Sequence, residues 1–104
     1  MSKINVGHTL SILADPERSP VRSKDVRECM RAAYDAYGIV RDSKSVSEQI
    51  RYLYAMEHLL VTAMLTLRPS ATGEVVMVEL AKCLVIVQEQ RAARTEPEPE
   101  ELFA

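Results

Sequence analysis

One stretch, Ser45 to Leu67 (SVSEQIRYLYAMEHLLVTAMLTL), constrains the fold of this chain more than any other. It opens on Ser45 and Glu48, an S-x-x-E capping box in which each side chain serves the other residue's backbone N–H. It closes before Pro69, because a proline pushes the residue ahead of it out of the α region. Between these signals, steps of four and three from Val46 reach Ile50, Leu53, Glu57, Leu60, Met64 and Leu67, one seam of a helix. Every seam position is apolar except Glu57. A carboxylate there is costly unless it is paired or protonated, so Glu57 is where architecture and function are expected to meet. The plainer reading places it near the edge of the bundle, reaching water or paired with an arginine, and the sharper one makes it a polar device that fixes register and partner number.

Two further helices flank the central one. Ser23 is a good N-cap for a helix over Lys24–Val40, with Val26, Met30, Ala33, Tyr37 and Val40 at core spacing and Cys29 and Ala36 beside them. On its polar side, Lys24–Glu28 and Arg31–Asp35 stand at i,i+4, where each ion pair adds a few tenths of a kcal/mol. The third helix spans roughly Gly73–Ala93. Its valines suit strands, but no turn chemistry separates VVMV from CLVIV, and Val76, Leu80, Cys83 and Val87 keep the helical period. Its polar sector is narrow: Glu79, Lys82 and Glu89, interrupted by Val75 and Ile86. A small bundle covers one stripe of each helix, so part of this surface calls for a second cover. A second copy of the chain is the cheapest source.

The 104 residues divide into an N-terminal arm and linker (1–22), a helical bundle (23–94) and an acidic tail (95–104) expected to be flexible. In the arm, a short helix around Thr9–Ala14 competes with a strand-like reading, and Gly7 breaks the apolar run. Asp15-Pro16 and Ser19-Pro20 make turns of the segment that follows. Four of the 15 acidic residues lie in the last nine positions, leaving 13 basic against 11 acidic side chains elsewhere. That balance is too even for non-specific nucleic-acid binding. Leu102-Phe103, behind Glu100-Glu101, reads as a small apolar hook and a candidate docking motif, against the plainer reading of a solubilising end. No signal peptide and no membrane span is expected, because Glu79 and Lys82 interrupt the most apolar run.

Chemistry has few footholds. His8, His58, Cys29 and Cys83 are scattered without metal-ligand spacing, and cysteines inside apolar helical patterns fit a reduced, cytoplasmic chain. The serines lie in caps and loops, Gly7, Gly38 and Gly73 are isolated, and neither a nucleophile elbow nor a phosphate loop appears. No cofactor, no metal and no catalytic residue is expected. The set Arg22, Lys24, Arg27 and Arg31, with Arg18 and Tyr34, is a candidate contact for a phosphorylated ligand or nucleic acid. Interleaved Asp25, Glu28 and Asp35 favour an ordinary solvated face instead.

The expected fold is all-α, a small antiparallel three-helix bundle with a short N-terminal element. The expected function is non-enzymatic: a protein–protein interaction module, acting as a homo-oligomer and as an adaptor, inhibitor or assembly subunit. Glu57 is assigned to pairing specificity, and Val78, Val85 and Ile86 to the apolar contact. The alternative is a bundle that binds a phosphorylated small ligand or nucleic acid through Arg22, Lys24, Arg27 and Arg31. The length, caps and seam resemble those of many small helical proteins of bacteria and their phages, a likeness too general to carry residues over.

Overall fold

A computed structural model describes residues 4–94 as four helices: α1 (Val6–Ala14), α2 (Lys24–Asp42), α3 (Val46–Thr66) and α4 (Ala71–Ala93). Among the described residues there is no strand. The fold is all-α, a short N-terminal helix with three longer packed helices, and the valine-rich segment is the longest helix of the four. The acidic tail and its Leu102-Phe103 hook lie outside the described residues.

Each helix begins the same way. A side-chain oxygen just ahead of the first turn accepts from the amide three residues on: Asn5 from His8 (2.9 Å), Ser23 from Val26 (3.3 Å), Ser45 from Glu48 (3.2 Å) and Ser70 from Gly73 (2.8 Å). The Asn5 cap explains why α1 starts at Val6, earlier than the sequence pattern suggests, with Gly7 inside its first turn. The capping box is half realised. Ser45 caps as expected, but its own N–H donates to Ser43 Oγ at 3.1 Å, and the Glu48 carboxylate faces Arg51. At the end of α2, Gly38 does not stop the helix, which runs two residues past Val40 to Asp42.

One hydrophobic cluster draws on all four helices. It takes Val6, Leu10 and Leu13 from α1, Val21 from the linker, and Val26, Met30, Ala33, Ala36 and Val40 from α2. From α4 come Val76, Leu80, Cys83 and Val87, the residues that keep the helical period in the sequence. The α3 contribution corrects the expected seam. Its buried residues are Leu53, Met56, Leu60 and Ala63, whereas Val46 is 50% exposed and Ile50, Met64 and Leu67 are half-buried. The stripe has rotated toward Met56 and Ala63, because α3 must bury one face against α2 and another against α4, and the bisector of those two directions becomes the core.

α3 packs along α2 on one side and α4 on the other, and α1 lies on α2 with a light contact to α4. No α2 Cα comes within 8 Å of an α4 Cα. α3 is therefore the central plank. α2, α3 and α4 run antiparallel in turn, as their short connections require.

Two glycines predict opposite outcomes. A Cβ on Gly73 would lie 2.3 Å from the Arg68 carbonyl oxygen, whereas one on Gly38 meets only an Arg41 side-chain nitrogen at 3.8 Å. Gly73→Ala should destabilise by about 1–3 kcal/mol through overpacking, and Gly38→Ala should stabilise by about 0.5–1 kcal/mol through helix propensity. Thermal melts of the two variants should move in opposite directions.

Burial, with Glu79 nearby, pushes the Cys83 thiol from 9.0 up to about 11. The protonated thiol then supports the fold fully below pH 9.0, and that support is lost as pH rises through about 11. Urea midpoints of the wild type should fall more steeply over this window than those of Cys83→Ala. A thiol reagent at pH 8 should modify half-buried Cys29 and spare Cys83 until the chain unfolds.

Candidate interaction face on α3 and α4

α4 is apolar around most of its circumference. Opposite its buried stripe, Val75, Val78 and Val85 are 64%, 52% and 53% exposed. α3 adds Tyr54, Val61 and Leu65, the last 83% exposed. Exposed apolar residues scattered singly need no explanation, but residues repeating along adjacent helices do.

The cluster at one end of the α3–α4 groove shows how the two helices face each other. Glu57 stands on the α4-facing edge of the α3 stripe, its side chain 15% exposed. Arg91, from the last turn of α4, closes on it as a fork: Nε donates to Oε2 and Nη2 to Oε1 at 3.4 Å. The remaining terminal nitrogen, Nη1, donates to the Tyr54 hydroxyl at 3.2 Å, and the guanidinium carbon lies 4.3 Å from the Tyr54 ring centroid. The hydrogen bond to Glu57 raises the Arg91 pKa further above its ordinary value. One turn beyond, Arg94 donates to the Gln49 side chain at 2.8 Å and to the Gln90 carbonyl at 2.9 Å. The carboxylate that breaks the seam is thus paired with an arginine on the next helix.

The four residues assigned to an interface do not share one surface. Val78 and Val85, two turns apart, point outward from α4. Ile86 is half-buried and turns toward α1, lining an open groove with Ile4, Val6 and Tyr37, and Val85 reaches the rim of the same groove. Glu57 lies in the α3–α4 groove, on the side of Tyr54.

The basic set does not converge either. Arg27 is half-buried, and its Nη1 donates to the carbonyls of Val21 (3.2 Å) and Arg22 (2.8 Å), bracing the turn ahead of α2. Arg31 Nε lies 3.5 Å from the Asp35 carboxylate. Arg22 and Lys24 are exposed. Arg91, which sequence reasoning missed, had a readable signal: it is a cation in the last turn of α4, and the antiparallel connection brings that turn alongside the first half of α3.

Among the described residues no three His, Cys, Asp or Glu side chains gather as a metal site, and no helix is long and apolar enough to cross a membrane. No family model, curated protein or solved structure matches the chain.

A half-buried, forked ion pair falls between the exposed pairs that contribute little and the buried ones whose breakage is severe. In a double-mutant cycle, Glu57→Ala and Arg91→Ala should couple by about 1–2 kcal/mol in urea unfolding. The coupling should shrink at 1 M salt without vanishing.

Proposed function

We propose that this protein is a non-enzymatic helical interaction module that works by presenting the outer face of α4, with the adjoining edge of α3, to another protein chain. Its role is that of an adaptor, inhibitor or assembly subunit, and it acts as a homo-oligomer. The observation that carries this reading is the row of exposed valines on α4, opposite a stripe that already satisfies the core. Burying such a side chain is favourable by about 1.5–3 kcal/mol, and the fold leaves these valines in water. The Glu57–Arg91 pair supports the same reading, because it neutralises the charges at the inner edge of the face and holds Tyr54 at its rim. Tyrosine and arginine held in this way are characteristic anchors of interface centres.

Native mass spectrometry of the untagged protein should show a discrete dimer or higher oligomer without added ligand mass. Val78→Glu with Val85→Glu should reduce it to monomer while circular dichroism keeps its helical signal, since both side chains are exposed in the folded chain. An unchanged oligomer would rule out this face.

A further inference from the structure

We infer that the partner is a second copy of this chain, joined through an antiparallel two-fold seam in which α4 of one copy lies along α4 of the other. The inference rests on the interaction-module reading above and adds its geometry. On α4, the side that leads outward from the α3 groove carries Glu74, Met77, Val78, Ala81, Leu84, Val85, Gln88 and Arg91. These recur at the three- and four-residue steps of a coiled-coil seam, one flank included. Between the terminal pair every residue is uncharged, and all but Gln88 are apolar. Lys82 and Glu89 fall at the outer margin of the stripe and Glu79 on the α1 side, so the charges of α4 flank the seam without entering it.

The ends decide the orientation. Glu74 opens the stripe and Arg91 closes it, on one helix and with opposite sign. A parallel pair would set Glu74 against the partner's Glu74 and Arg91 against the partner's Arg91, and like charges so placed are destabilising. An antiparallel pair related by a two-fold axis sets Glu74 beside the partner's Arg91 at both ends. The same register brings Met77 opposite the partner's Gln88 and Ala81 beside the partner's Leu84 near the axis, with Val78 and the partner's Val85 about 3 Å out of direct opposition. The small Ala81 side chain allows close approach at the centre, and a surface that meets its own copy in this way is self-complementary by construction. Arg91 is already oriented for the contact. Glu57 and Tyr54 hold its guanidinium at the edge of the groove, where a second carboxylate extends the pair into a network.

The dimensions are sufficient. From Glu74 to Arg91 the stripe runs about 25 Å, and with the α3 edge the face is about 20 Å wide. On α3, Val61 lies two turns beyond Tyr54 and Leu65 one turn further, on the same side. That gives about 500 Å² on each copy and about 1,000 Å² in total, the lower limit of a specific interface.

The test uses the full chain carrying Cys29→Ser, with Val78→Cys and Val85→Cys made as separate variants. On mild oxidation an equimolar mixture should form the Val78→Cys to Val85→Cys disulfide more readily than Val78→Cys alone forms its own, because equivalent positions lie far apart across the axis. Glu74→Arg should weaken the dimer at least tenfold in sedimentation equilibrium at low salt, and less at high salt. Efficient cross-linking of Val78→Cys to itself would overturn the antiparallel register. A dimer indifferent to Glu74→Arg and devoid of the mixed disulfide would overturn this seam while leaving the interaction-module reading in place. A monomer at 100 µM would overturn the seam and the homo-oligomer together.

Discussion

Everything in this fold passes through the buried stripe of α3. The backbones of α2 and α4 stay more than 8 Å apart, so Leu53, Met56, Leu60 and Ala63 must serve both at once. That requirement rotates α3 away from its most hydrophobic seam and toward the face whose side chains reach both neighbours. It also accounts for Glu57. A residue at the centre of the ideal seam lands, after the rotation, on the edge of the α4 contact, where a carboxylate can be met by a cation from the next helix and still touch water. The apparent flaw in the pattern is a consequence of serving two partners.

Polar groups in this small protein do positional work. The four N-caps set where each helix begins, and the fork between Arg91 and Glu57 sets how far α4 slides along α3, because a bidentate pair tolerates little misplacement. Arg27 braces the turn ahead of α2 in a similar way, through two backbone carbonyls. Cations that sequence alone groups with a ligand site are thus partly committed to the architecture. The apolar surplus is concentrated on α4, which among the described residues has α3 on one side, only the short α1 on another, and no helix on its outer face. An edge helix rich in valine needs one stripe for the core, and its other apolar residues stay exposed to water.

How much was legible depended on how local the signal was. The all-α class, the caps at Ser23 and Ser45, the stop before Pro69 and the buried residues of α4 could all be read, because hydrogen-bonding geometry over three residues and a 3.6-residue period act within one helix. The start of α1 was not, since an asparagine cap with a glycine two residues on looks like loop. In α3 the period was legible and its phase was not. Of the four residues assigned to an interface, Val78 and Val85 are exposed together, whereas Ile86 turns toward α1, because a residue one step along a helix is swung about 100° round the axis.

The sequence by itself determined α2, α3 and α4, their order and their antiparallel connections, since propensity, capping and loop length are properties of neighbouring residues, and it left α1 open between helix and extended arm. Only the tertiary structure decided which side of α3 faces inward, which arginine meets Glu57, and which face of α4 is left in water. Those outcomes depend on the directions in which other helices lie, and no window of one helix contains that information.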